Sequence, residues 1–131
     1  MSAIDTQKRL EAAYGHRDAD ELRTLIHDDC VVSSLAIGDA ATICGREAVV
    51  AELVARASSD WMFQTTFDAY RELDEDTLLI TGAVRRRAGQ GGHAMSSVAW
   101  LNEFADGVLV SSRAFACETL ALDAYGAHAP G

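Results

Sequence analysis

Apolar residues in this chain recur first at helical and then at strand spacing, and the change of period divides it in two. Over residues 4–16, Leu10, Ala13 and Tyr14 share one face at the i, i+3, i+4 interval, which predicts an amphipathic helix. Asp18 and Glu21 stand three apart just before Leu22, Leu25 and Ile26, the arrangement of a capping box that opens a second, short helix. Asp28 and Asp29 are expected to end that helix, residues 30–36 read as a strand, and 37–44 read as a loop. A third helix is predicted to start at Gly45-Arg46-Glu47, with Val49, Val50, Leu53 and Val54 as its buried stripe. Glu47 in its first turn suits the helix dipole.

From Trp61 the period becomes two: Trp61, Phe63, Thr65 and Phe67 alternate with Met62, Gln64, Thr66 and Asp68. Asp74-Glu75-Asp76 reads as a turn before a strand over 77–87. Gly89-Gln90-Gly91-Gly92 leads into a strand over about 94–104, and Asp106-Gly107 is a hairpin signal before a last strand over 108–117. Three helices followed by a meander of antiparallel strands define an α+β domain spanning 1–131. The alanine-rich stretch 118–131 is expected to be a flexible tail.

The composition narrows the partners. With 131 residues, of which 49% are hydrophobic, the chain fits one domain with a real core. A formal charge of -9 repels both a phosphate backbone and an anionic membrane surface, so neither nucleic acid nor membrane is an expected partner. Arg85-Arg86-Arg87 does not change this, because strand alternation sends the middle arginine to one face and its neighbours to the other. No apolar run approaches the roughly 20 residues that span a bilayer, and no basic-then-apolar secretion signal opens the chain, so the expected location is cytoplasmic. Cys30, Cys44 and Cys117 are odd in number and irregularly spaced, which fits neither a disulfide framework nor a zinc knuckle; beside apolar neighbours they read as core or near-core side chains. Four scattered histidines make no metal ligand set. The glycine loop at 89–92 joins two strands rather than opening a helix, so no nucleotide is implied, and no cofactor is expected.

The order of these parts resembles the nuclear transport factor 2-like superfamily, and within it the SnoaL-like branch of small bacterial proteins. The matching pieces are Tyr14, Arg17-Asp18-Ala19-Asp20 with Leu22, Asp28-Asp29-Cys30-Val31-Val32, Gly45-Arg46-Glu47-Ala48-Val49 and Phe104-Ala105-Asp106-Gly107, which together cover about residues 5–117. The resemblance implies a strongly curved, mainly antiparallel sheet wrapped as a cone around three N-terminal helices. It also implies an apolar pocket inside the cone and a homodimer through the outer sheet face. Ketosteroid isomerases, polyketide cyclases, dehydratases and non-catalytic binding proteins share this fold, so membership does not assign activity.

Residue by residue, the isomerase apparatus does not carry over. The catalytic base, normally an aspartate, falls at Ser34; the oxyanion-holding aspartic acid falls at Trp100; the tyrosine falls near Leu10. The acidic residue of the dehydratases falls at Gly15. What the alignment leaves is a lining. If Ser34 and Trp100 point inward, alternation brings Val32, Val98 and Asn102 inward with them, and Tyr14 joins them from the first helix. Such a lining suits holding a small apolar or aromatic molecule in place.

Two other readings stand beside that one. An isomerase, cyclase or dehydratase would use an unfamiliar acid or base, for which Asp68, His93 and Tyr14 are the candidates. An assembly domain would fill the cone with its own side chains, Trp100 among them. Arg113, in phase with Leu109 and Phe115, is expected on the outer sheet face.

Overall fold

The computed structural model describes residues 2–34, 41–58, 63–88 and 92–128, apart from a few side chains at element ends. Helix α1 (Ala3–Gly15) begins where the Ser2 hydroxyl accepts a hydrogen bond from the Asp5 N–H at 3.2 Å. Helix α2 (Ala19–Leu25) is capped by Asp18, whose carboxylate accepts from the Glu21 N–H at 3.1 Å. Each cap satisfies a backbone donor that the first turn of a helix leaves without an internal partner. Strand β1 (Ile26–Ser34) follows α2 with no intervening loop. Asp28 and Asp29 therefore lie exposed within the strand rather than ending the helix. The expected loop over 37–44 holds strand β2 (Ala41–Cys44), and residues 35–40 lie outside the described residues.

Gly45 then takes φ +95, a conformation costly for any residue with a Cβ, and releases the chain into helix α3 (Arg46–Ala57). Strands β3 (Phe63–Asp74), β4 (Thr77–Ala88), β5 (Gly92–Ala105) and β6 (Val108–Phe115) form the meander. They join β1 and β2 in one sheet of order β2-β1-β6-β5-β4-β3. Every neighbouring pair is antiparallel except β1 and β6, which run parallel.

Four register irregularities interrupt the described sheet, the fourth between Glu72 and Asp74 beside the β3–β4 turn. The other three lie in β1 between Ile26 and Val31, in β3 between Phe67 and Ala69, and where β5 meets β6 near Val110. An extra residue on one strand increases twist locally and resets which face the following residues present. At the β3 irregularity the backbones close up so far that a Cβ on Gly82 would stand 1.9 Å from the Thr66 carbonyl oxygen. Only glycine fits there.

The main core fills the concave face. Leu22 and Leu25 of α2, Val49 and Val50 of α3, and Leu78 and Ile80 of β4 are almost wholly enclosed, with Cys30, Phe104 and Leu109 around them. Enclosing one such side chain contributes roughly 1.5–3 kcal/mol.

A second, smaller cluster lies on the opposite face. Residues 118–131, expected as a flexible tail, instead contain helix α4 (Glu118–His128). Its Ala121 is fully buried against Leu79 and Ala99, with Leu73, Phe115 and Leu122 alongside. The Tyr125 hydroxyl donates to Asp74 Oδ2 at 2.8 Å, and Arg71 pairs with Glu118 at 3.6 Å. Helix α4 therefore covers part of the outer sheet face that the resemblance assigns to a homodimer, leaving Met95, 69% exposed, uncovered there among the described residues.

Other expectations need correction too. Cys30 is buried, but Cys44 and Cys117 are exposed and lie in no core. Arg113 does face the outer side, opposite Leu101, where it pairs with Glu103 at 3.5 Å. Leu109 does not share its phase: the irregularity at Val110 places Leu109 in the concave core. Arg85 is exposed, and the side chains of Arg86 and Arg87 lie outside the described residues. Among the described residues, no helix is long and apolar enough to cross a membrane.

Candidate functional site

A hollow of about 140 Å³ remains between α1, α3 and the concave sheet face. It is comparable to the ~150 Å³ apolar cavity that admits a benzene ring. Strand β5 supplies Val98, Trp100 and Asn102, alternate residues that the pleat sends to one side. Trp100 meets Phe67 of β3 with ring centres 5.2 Å apart and planes tilted by 52°, so the two rings make an aromatic wall. Val32 of β1, Leu53 of α3, Val84 of β4, and Leu109 and Ala114 of β6 add to the apolar part.

The polar part comes from α1. Gln7, Leu10, Glu11 and Tyr14 recur at the interval that keeps residues on one helical stripe, and all four border the hollow. Glu11 receives hydrogen bonds from the Tyr70 hydroxyl at 2.6 Å and from Gln7 Nε2 at 3.0 Å. Gln7 in turn accepts from Asn102 Nδ2 at 2.9 Å. The series runs Tyr70, Glu11, Gln7, Asn102, from the edge strand β3 across the helix to β5.

Chemistry fixes its direction. A carboxylate only accepts, so Gln7 must turn its amide nitrogen toward Glu11 and its oxygen toward Asn102. Asn102 must then spend its nitrogen on Gln7, which leaves Oδ1 as the free end. That oxygen is enclosed and has no hydrogen-bond partner. The whole side chain is 6% exposed.

The Tyr70 phenol is held protonated well above its ordinary range, first by burial and then by the Glu11 carboxylate beside it. The Lys8 ammonium lies 4.1 Å from the centre of the Tyr70 ring, over its electron-rich face. Arg56 also borders the hollow and pairs with Glu52 one turn back along α3 at 2.8 Å.

Of the residues singled out from sequence, the structure brings Tyr14, Val32, Val98, Trp100 and Asn102 around this one hollow. Ser34 stands opposite Ala114 in the β1/β6 register, but its side chain lies outside the described residues, as does that of His93. Ser33 borders the hollow. Asp68 is exposed at the β3 irregularity and does not border it.

Sequence reasoning missed Gln7, Glu11 and Tyr70. Gln7 and Glu11 had a signal: two polar residues, four apart, on the stripe of α1 that faces the core. Tyr70 had none, because strict alternation from Phe67 points Ala69 inward, and the extra residue at Asp68 puts Tyr70 there instead.

A second, wider hollow of about 440 Å³ lies at the hairpin end, among Arg9 of α1, Thr24 of α2 and the turns carrying Glu75, Asp76 and Asp106. Arg9 is already paired with Glu21. Among the described residues, no group of three histidine, cysteine, aspartate or glutamate side chains is placed to hold a metal ion.

No family model and no curated protein matches the sequence. Solved structures do match. Bal32a, from a soil-derived mobile gene cassette, is 18% identical with a TM-score of 0.75, covering 94% of this chain and 95% of that one. A protein of Burkholderia xenovorans LB400 described as NTF2-like is 19% identical with a TM-score of 0.72, covering 95% and 96%. This chain has the nuclear transport factor 2-like fold. TerC, solved in co-crystals with polyporic acid, is similar over 93% of this chain and 95% of its own, at 16% identity and a TM-score of 0.69. At such identities the NTF2-like likeness extends to the fold and stops there.

Proposed function

We propose that this NTF2-like chain is a SnoaL-like small-molecule-binding protein, and that the hollow beside Trp100 takes one single-ring, largely apolar or aromatic molecule. The observation that carries the reading is a benzene-sized space lined by the Trp100 and Phe67 rings and by an unpartnered amide oxygen of Asn102. Apolar pockets with a few placed polar groups are the common form of a ligand site. That TerC, similar in fold, was co-crystallised with polyporic acid is in keeping with a small-molecule role. The positions aligned with the isomerase carboxylates hold Ser34 and Trp100, neither of which supplies a base near neutral pH.

The test is a titration with toluene and phenol, followed through the Trp100 indole N–H resonance. Saturable shifts in the native protein, abolished by Ala114→Leu, support the reading. The absence of any shift from either ring would abandon it.

One observation favours acid–base catalysis as a second reading: Glu11 places a carboxylate at the wall of the hollow. On this reading Glu11, rather than Asp68 or His93, is the proton acceptor. Once a substrate is in hand, unchanged turnover in Glu11→Gln would dismiss it.

A further inference from the structure

The polar series around the hollow is directional, and its direction selects a kind of ligand. Glu11 as a carboxylate accepts from both Tyr70 and Gln7, which forces the Gln7 oxygen toward Asn102 and the Asn102 oxygen away from Gln7. The end result is a buried acceptor, Asn102 Oδ1, without a donor. An amide cannot correct this by turning over, because its nitrogen would then leave Gln7 Oε1 unpaired and bring two oxygens together. A buried polar atom left without a partner is costly, and a bound molecule that supplies the missing hydrogen recovers that cost.

We infer that the site selects for single-ring molecules carrying a hydrogen-bond donor, such as a phenol or an aryl alcohol, whose O–H meets Asn102 Oδ1 while the ring lies against Trp100 and Phe67. This rests on the proposed reading of the hollow as a ligand site and adds the chemical class of its occupant. Rings with only acceptor groups present an oxygen or nitrogen lone pair to the Asn102 oxygen, and the site disfavours them. Glu11 is a positioning residue here: it sets the amide direction through Gln7 and need not touch the ligand's reacting atoms.

Three probes of similar size separate the claims. Toluene reports the hollow itself, phenol adds a donor, and benzonitrile adds an acceptor alone while remaining close to phenol in hydrophobicity. Binding is measured by titration of the Trp100 indole resonance and by calorimetry on the full chain. Phenol is expected to bind about tenfold more tightly than benzonitrile. In Glu11→Gln the neutral amide can donate as well as accept, Gln7 is free to turn, and the phenol-to-benzonitrile ratio is expected to fall toward one. A merely structural role for Glu11 would weaken all three probes together and leave the phenol-to-benzonitrile ratio as in the native protein, which would overturn the part assigned to Glu11.

Equal binding of phenol and benzonitrile to the native protein, with toluene bound, overturns the inference and leaves the ligand site standing. No binding of any ring removes the site and the inference with it. Should Glu11→Gln fail to fold, the comparison of probes on the native protein decides.

Discussion

The Tyr70 hydroxyl stands 2.6 Å from the Glu11 carboxylate and fastens edge strand β3 to helix α1 across 59 positions of chain. Burial and the neighbouring carboxylate both oppose loss of the phenol proton, so the folded value lies above the ordinary 10. A group raised in this way contributes stability that is complete below the unfolded value and is lost as pH rises toward the folded one. The native protein is therefore expected to lose stability steadily above pH 10, and Tyr70→Phe to lose less over the same interval. At neutral pH the variant is expected to be less stable by about 1 kcal/mol, for the lost hydrogen bond. Denaturant melts of both proteins across that range check it; parallel pH profiles would remove Tyr70 as the cause.

Helix α4 is held at both ends of its packed face. Ala121 is fully buried on the outer sheet face, so Ala121→Glu places an unpaired charge against Leu79 and Ala99. A loss of about 2–3 kcal/mol is expected, by the cost of burying a polar group without a partner. Size-exclusion chromatography should also report self-association of the variant through the uncovered strands.

The same helix carries an acid-sensitive tether. Burial pushes the Asp74 carboxyl upward, but hydrogen bonds from the Asp76 N–H, the Tyr125 hydroxyl and Thr77 outweigh it and hold it below its ordinary 3.8. Its contribution is present above that value and lost as pH falls through the folded one. Hydrogen-exchange protection in α4, relative to the unstructured rate at each pH, should fall below about pH 4 before that of β4 and β5, and Tyr125→Phe should blunt the effect.

Gly82 is expected to tolerate no side chain. A Cβ 1.9 Å from the Thr66 carbonyl oxygen can be relieved only by moving backbone. Gly82→Ala should cost about 1–3 kcal/mol or more and disturb the neighbouring Phe67 and Trp100 pair. Calorimetry measures the first and near-ultraviolet circular dichroism the second.

The three cysteines should separate by reactivity. Burial pushes the Cys30 thiol up to about 11, so it stays protonated in the folded protein, whereas Cys44 and Cys117 are exposed. An aromatic disulfide reagent at pH 8 should titrate two thiols quickly and the third only on addition of denaturant. Three rapid equivalents in the native protein would contradict this burial.

Much of this architecture was legible from local rules. Asp18 caps α2 and Gly45 opens α3 because those tasks require their residue types, and the β5 alternation through Val98, Trp100 and Asn102 held because that stretch contains no extra residue. What escaped depends on long-range pairing. The irregularity at Asp68 moves Tyr70 to the inner face, and the one at Val110 separates Leu109 from Arg113; neither leaves a mark in the hydrophobic pattern. Helix α4 escaped because its apolar residues, half of them alanine, do not gather on one helical stripe, and Ala121 acquires its importance only from the sheet beneath it.

The parallel pairing of β1 with β6 joins an early strand to the last one. The hollow has Val32 from the first and Ala114 from the second in its wall, so it cannot close until all six strands of the described sheet are available. Such distant pairing slows folding, since loop-closure entropy is spent before the contacts form. During synthesis the helices and β1 must wait, their apolar faces open, for a strand that is made after every other strand of the sheet. Binding competence should therefore arrive late and all at once, and a ligand that fits the hollow should slow unfolding more than it speeds folding.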